Sequence, residues 1–466
     1  MRPQLIRWLI IGVLVAAISA GLVIGGLMLF GPHRGPPVVV AVAPMPVDEP
    51  IVLPAENDET SVMALPSAEK PAPAVSAEQV ATAEPPPAAQ EGSAAAASAA
   101  GHHYVILQIG DSHTAADLFT GEVRDKLQAR FGAGGLFLPP GIPKAGVQSA
   151  EFNIKADDAW SYEAMASTDE PQHFWLSGYT AKVRQAGASI SFAARGSGGQ
   201  RFDSIDVSFL KTNGGGSANI VLDGNVVDKV SLDGRPGDPL IKRLLPPGPV
   251  GSFKTLEIVT TSSGPVELSG VFVDQRQTGV SYLSVGFPGA RVTVLKRMAP
   301  QNLADDMSRI DPDMIVLAFG TNEGFDDNLD PADYQATLTG IVHALMDGRP
   351  NRKIVIVGPP PGARKNDSCR DLKPACGQAV SGACWAQPPK LTAVREAEKA
   401  VAAAVGATFW DWSSVLPSAC DLERGNLGDP AIFGPDRVHM TGKGYRDSAD
   451  AFAQVLAPLV GKAMGN

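Results

Sequence analysis

A serine stands among small and charged neighbours in Gly110-Asp111-Ser112-His113-Thr114. A serine hydroxyl attacks a carbonyl only when a base removes its proton, and that base needs an acceptor nitrogen held in one tautomer. Asp436-Arg437-Val438-His439 supplies both parts. A carboxylate three residues before a histidine can fold back onto Nδ1 within one turn and leave Nε2 for Ser112. Two further segments can receive the negative charge such an attack creates. Gly320-Thr321-Asn322-Glu323 offers an amide donor, and Gly286-Phe287-Pro288-Gly289-Ala290 offers glycines that let a backbone N–H approach a substrate oxygen. Taken singly, each has an ordinary reading: a helix N-cap at Ser112, a surface ion pair at Asp436 and His439, turns at Asn322 and Gly289. Their joint occurrence, at strand ends and in the final loop, points to acyl transfer.

The elements that must position these residues alternate. Residues 104–109, 280–285, 314–319, 353–357 and 407–410 read as buried strands, the first, second and third running directly into the serine, glycine and asparagine segments. Between or after them, helical apolar spacing covers residues 115–131, 331–348, 391–405 and the segment from Lys443 onward. Strand–helix alternation implies a parallel, doubly wound sheet, whose carboxyl edge is where reactive groups gather. Residues 150–275 differ: short β-prone runs at 205–210, 218–222, 226–232, 255–260 and 266–273 are punctuated by turns such as Asp223-Gly224-Asn225, with no long helical pattern. This reads as an inserted β-sandwich, expected to hold a long chain near Ser112 or to shape the cleft wall.

The four segments resemble the SGNH/GDSL hydrolase family, whose Ser, Gly, Asn and His blocks correspond to Ser112, Gly289, Asn322 and His439. The resemblance covers residues 102–149 and 276–466. It implies a flavodoxin-like three-layer α/β/α domain, a Ser112–His439–Asp436 triad without a cofactor, and an oxyanion hole made of the Ser112 and Gly289 N–H groups with the Asn322 amide. His113 after the serine, Glu323 after Asn322, the position of the β insertion, the run Thr114-Ala115-Ala116-Asp117 and the later Phe409-Trp410-Asp411-Trp412 are similar to the bacterial peptidoglycan O-acetylesterase branch. In that branch the insertion resembles a carbohydrate-binding module. His113, Glu323, Trp410 and Trp412 are therefore candidate substrate contacts, although aromatic residues at a strand end more often pack. The expected activity is removal of O-acetyl groups from an envelope polysaccharide, most simply peptidoglycan. An O-acetyltransferase using the same acyl-enzyme, or a catalytically idle glycan-binding protein, are the alternatives.

Composition sets the surroundings. Residues 8–30 form a 23-residue apolar run without a charge, long enough to cross a bilayer, with Arg2 and Arg7 before it. Residues 1–34 thus read as a signal-anchor, with the rest of the chain outside the cytoplasm. Residues 35–101 hold 12 prolines, 18 alanines and no aromatic residue, the composition of an unstructured tether. The formal net charge is −10 over 466 residues. That balance lacks the basic footprint of a nucleic-acid binder, so the expected partners are an acetylated polysaccharide and a membrane. Cys369, Cys376, Cys384 and Cys420 suggest two disulfides in an exported protein, with three pairings open; their spacings lack the tight pair of a zinc site, and no metal site is expected.

Overall fold

The computed structural model describes residues 103–140, 146–168, 174–275, 279–365 and 385–465. The expected membrane helix and tether, and Cys369, Cys376 and Cys384, lie outside the described residues. Among the described residues no helix is long and apolar enough to cross a membrane.

A five-stranded, wholly parallel sheet organises the α/β part. Its strands are β1 (His103–Gly110), β2 (Gly279–Gly286), β3 (Met314–Ala318), β4 (Lys353–Gly358) and β5 (Thr408–Asp411), in the order β2-β1-β3-β4-β5. Side chains alternate across a strand, so both faces of a buried sheet must be apolar. Ile106, Tyr282 and Val316 point to one face, where helix α2 (Leu118–Phe131) and the C-terminal helix α7 (Gly442–Met464) cover them with Phe119, Val123, Phe452 and Leu456. Leu107, Leu283, Leu317 and Ile356 point to the other, beneath α3 (Pro300–Ile310), α5 (Pro331–Met346) and α6 (Leu391–Val405). The expected three-layer α/β/α arrangement is thus present. Helix α3 is absent from the sequence reading. Its proline at the first turn is a start signal, but its surface is so polar that only Asp306 and Met307 are buried.

The helix expected over 115–131 is broken. A short turn, α1 (Ser112–Ala115), precedes α2, because Asp117 between them adopts a left-handed backbone with φ 55°. Its carboxylate is a buried hub. It accepts from Thr120 Oγ1 at 2.5 Å, Arg124 Nη2 at 2.6 Å and the Ala150 N–H at 2.9 Å, which ties the serine turn to the point where the insertion departs.

The insertion forms two antiparallel sheets, with a smaller two-stranded one (Gln200–Phe202 and Gly251–Phe253), around its own apolar core. One runs Asn225–Ser231, Ser217–Leu222, Thr255–Thr260, Ser189–Ala194, Phe152–Ala156; the other runs Pro239–Leu244, Ser204–Leu210, Val266–Asp274, Tyr179–Val183, Ser161–Ala164. Asp223 and Gly224, both at positive φ, make the tight turn joining Ser217–Leu222 to Asn225–Ser231. Leu136–Leu138 falls in the segment assigned from sequence to the α/β part, yet it pairs with Val266–Asp274 and buries Leu136 and Leu138 in the insertion's core. In the other direction Met165, Phe174, Leu176, Tyr179 and Phe272 of the insertion pack into the α/β core, alongside Phe287.

Candidate active site

Ser112 opens α1 immediately beyond the carboxyl end of β1. Asp111 caps the turn: its Oδ1 accepts from the His113 N–H at 3.0 Å. Gly110 allows the tight exit, since a Cβ there would lie 2.5 Å from the Ala318 carbonyl oxygen. The loop between Phe433 and Met440 brings the base to the serine. Its ends are pinned by the Gly434 N–H on the His439 carbonyl at 2.8 Å and by the Ala363 N–H on the Arg437 carbonyl at 2.9 Å. Arg437 takes φ 56°, stacks its guanidinium 4.1 Å from the Trp385 ring centroid and donates to the Leu422 carbonyl at 2.7 Å. Sequence reasoning missed Arg437, because nothing in a single arginine signals a left-handed loop position.

His439 Nδ1 lies 2.6 Å from Asp436 Oδ2 and Nε2 lies 2.9 Å from Ser112 Oγ. An ionised carboxylate only accepts, so Nδ1 carries the proton and Nε2 accepts from the serine hydroxyl. Asp436 Oδ1 also receives the Val438 and His439 N–H groups, each at 3.1 Å. Burial works against the charged form of both groups, but their mutual hydrogen bond outweighs it: His439 is raised above the usual imidazole range and Asp436 is lowered below the usual carboxylate range. The arrangement can take a proton from Ser112 and hold it.

On the other side of the sheet edge, Asn322 sits in α4 (Thr321–Gly324), beyond β3, and its amide donates to the Ala290 carbonyl at 2.8 Å. That bond joins the asparagine turn to the Gly286–Ala290 loop. Gly289 has φ 71° and an open surface, a backbone position L-residues seldom take.

Glu323, singled out as a candidate substrate contact, is instead 1% exposed. Its two oxygens accept from the Val292 N–H at 2.6 Å and the Gly320 N–H at 3.1 Å, so no oxygen faces a ligand and the side chain clamps the two loops together. Burial pushes its pKa up to about 7. Behind it lies a further buried carboxyl, Glu398, which accepts from the Tyr334 hydroxyl at 2.6 Å and is raised by burial.

The aromatic candidates are also corrected. Trp410 and Trp412 are buried and stack with Phe119, at 6.2 and 4.3 Å, under α7. They are core side chains, as aromatic residues entering a sheet from the strand end tend to be. His113 faces inward rather than toward a ligand. It shares a 3.0 Å hydrogen bond between Nδ1 and the Tyr445 hydroxyl, and its ring lies 5.2 Å from that of His439. Burial first, and the neighbouring His439 second, depress its pKa to about 3. It stays neutral beside a histidine whose charged form is favoured. Cys420 is disulfide-bonded. No group of three or more His, Cys, Asp or Glu among the described residues could hold a metal ion.

Residues 270–446 match the GDSL-like lipase/acylhydrolase family, a span that includes Gly289, Asn322, Asp436 and His439 and begins after Ser112. None of the curated protein sequences matches the chain. Among solved structures, a peptidoglycan O-acetylesterase is similar at 25% identity, over 77% of this chain and 92% of that one, with a TM-score of 0.61. A family two carbohydrate esterase from Cellvibrio japonicus is similar at 15% identity over 67% of this chain and 98% of that one, with a TM-score of 0.26. An aryl esterase from M. smegmatis is similar at 18% identity over 39% and 79%, with a TM-score of 0.27.

Proposed function

The chain belongs to the SGNH/GDSL hydrolase family and acts on ester bonds, and from that premise we propose that it removes O-acetyl groups from peptidoglycan through an acetyl-enzyme on Ser112. The similarity to a peptidoglycan O-acetylesterase over 92% of that chain carries the choice of substrate. His439 Nε2, 2.9 Å from the hydroxyl, takes the Ser112 proton as Oγ attacks the acetyl carbonyl. The imidazolium that forms is stabilised by Asp436, which keeps its own proton off. His439 then returns the proton to the departing sugar oxygen, and water, activated by the same base, releases acetate.

The negative oxygen of each tetrahedral intermediate is met by the Ser112 and Gly289 N–H groups and the Asn322 amide. That amide has two hydrogens; one is bound to Ala290 and the other is left for the oxyanion. The work takes place outside the cytoplasm, with residues 8–30 as the anchor and residues 35–101 as the tether. Acetate release from O-acetylated peptidoglycan tests the reading. Wild-type protein is expected to release it, and Ser112→Ala to lose about 10⁴-fold or more in kcat. Activity of the serine variant within tenfold of wild type would remove the hydrolytic role from this site.

A further inference from the structure

A cleft of about 380 Å³ is lined by Gly289 and by residues of both parts of the molecule. Tyr162, Ala164 and Tyr179 of the insertion form one wall; Arg291 and Arg297, from the segment after β2, belong to the other. We propose that this cleft is the subsite for the saccharide bearing the acetyl group, with Tyr162 as the platform for a sugar ring and Arg291 as the partner of a carboxylate on the peptide stem that the saccharide carries. The proposal rests on the reading of the chain as a polysaccharide O-acetylesterase, and it makes the insertion part of the specificity wall rather than a separate binding module.

Three observations carry it. First, Tyr162 is 39% exposed and is the one aromatic ring among the exposed large hydrophobic side chains of the described residues. An exposed ring beside a cleft of mixed polar and apolar lining is suited to the C–H face of a pyranose, with its hydroxyl available for hydrogen bonding. Second, the walls are cross-linked and hence preformed. Arg297 donates through Nη1 to the Ala166 carbonyl at 2.7 Å and through Nη2 to that of Thr168. From the insertion's wall, the Tyr179 hydroxyl donates to the Gly286 carbonyl at 3.2 Å, and its ring stacks 6.1 Å from Phe287. Strand Ser161–Ala164, which carries Tyr162, is therefore fixed relative to the loop that presents Gly289.

Third, the charge of the lining is one-sided: it contains two arginines and no acid. Arg297 has both terminal nitrogens on carbonyls, but Arg291 is 46% exposed and meets Asp326 through Nη1 at 2.8 Å. A guanidinium has five N–H donors in a planar fork, enough to keep Asp326 and still receive a second carboxylate. Peptidoglycan, with carboxylates on its peptide stems, meets that requirement; a neutral acetylated xylan does not.

The test compares full-length wild type, Tyr162→Ala, Tyr162→Phe, Arg291→Ala and Arg291→Lys on O-acetylated peptidoglycan, acetylated xylan and 4-nitrophenyl acetate. Tyr162→Ala is expected to lower kcat/KM on both polymers at least tenfold more than on the small ester, chiefly through KM, with Tyr162→Phe recovering most of the loss. Arg291→Ala is expected to lower kcat/KM on peptidoglycan at least tenfold more than on xylan, with partial recovery in Arg291→Lys. Equal factors on all three substrates, or no change on the polymers, would overturn the proposal while leaving the esterase reading intact. Should wild type hydrolyse the small ester but release nothing from peptidoglycan, the peptidoglycan reading fails separately. Calorimetry of the Ser112→Ala protein with a soluble acetylated muropeptide then decides the cleft: a tenfold weaker affinity on adding Arg291→Ala upholds it, and undetectable or unaltered binding overturns it.

Discussion

The two halves of the candidate active site hold their carboxylates in opposite ways. On the triad side, Asp436 lies three residues from its histidine in a half-exposed loop and is pushed toward the charged form. On the oxyanion side, Glu323 is sealed in, receives two backbone N–H groups and is pushed up to about 7. The same contrast separates the histidines: His439 is raised and His113, behind it, is depressed to about 3. A group that must stabilise a developing imidazolium needs a charge, and partial access to water makes ionisation inexpensive. A group that must hold two loops in register needs only acceptors, and burial gives it rigidity. Charge on that side would also oppose an oxyanion nearby.

The comparison breaks most severely if the oxyanion side loses its support. Replacing residues 150–275 by a short linker strips Phe174, Leu176, Tyr179 and Phe272 from the core that holds Phe287 of the glycine loop. The expected result is no cooperatively folded protein, measured as loss of a thermal transition, with small-ester activity lost alongside it. A truncated variant with native-like melting and activity within tenfold would make the insertion separable.

A smaller effect is expected for Asn322→Ala, about 10²–10³ in kcat on a small ester, the usual loss for one oxyanion donor. Loss below about tenfold would place the amide outside the oxyanion hole and leave it only the Ala290 bond.

Glu323→Gln sharpens the contrast through pH. A raised carboxyl pKa means that the folded protein holds a proton the unfolded chain has released, so stability falls as pH rises from about 4.5 to about 7 for this group. Asp111, raised to about 6, acts in the same direction from its ordinary value of 3.8 upward. The glutamine variant is expected to show a flatter fall in Tm across that window, with kcat lowered by about tenfold, because one buried N–H loses its acceptor. A parallel Tm profile would show that Glu323 is ionised throughout. His439 acts in the same direction at higher pH: its raised value stabilises the folded form below about pH 6.5, and that contribution disappears as pH rises through the folded value.

The smallest effect on catalysis is expected for Trp412→Phe, which trims a fully buried ring stacked 4.3 Å from Phe119. Stability should fall by about 1–3 kcal/mol, read from denaturant unfolding, while KM for peptidoglycan stays within twofold. A selective rise in KM would restore Trp412 as a substrate contact.

The α/β scaffold was legible in the sequence because its strands are buried on both faces and appear as continuous apolar runs at 104–109, 280–285 and 314–319. The strands Phe152–Ala156, Ser161–Ala164 and Tyr179–Val183 were not, since they are short and carry polar residues among the apolar ones. Periodicity over four or five residues cannot distinguish such strands from loops. Arg437 and Tyr445 escaped notice for another reason: each acts through partners brought near by the fold, Arg437 on Trp385 and the Leu422 carbonyl, Tyr445 on His113.

What the sequence determined by itself was local chemistry. A carboxylate three residues before a histidine closes within one turn, and a serine, a glycine and an asparagine at strand ends share one edge of any parallel sheet wound in this order. The tertiary structure decided what distance and burial alone can decide. It sealed Glu323, His113, Trp410 and Trp412, which sequence spacing had offered to a ligand, because a polar or aromatic side chain reveals its surroundings only when elements far apart in the chain meet. It also set the insertion's Tyr162 across from Arg291, two residues 129 positions apart on separate elements, since only packing between the insertion's sheet and the Gly289 loop brings them to one cleft.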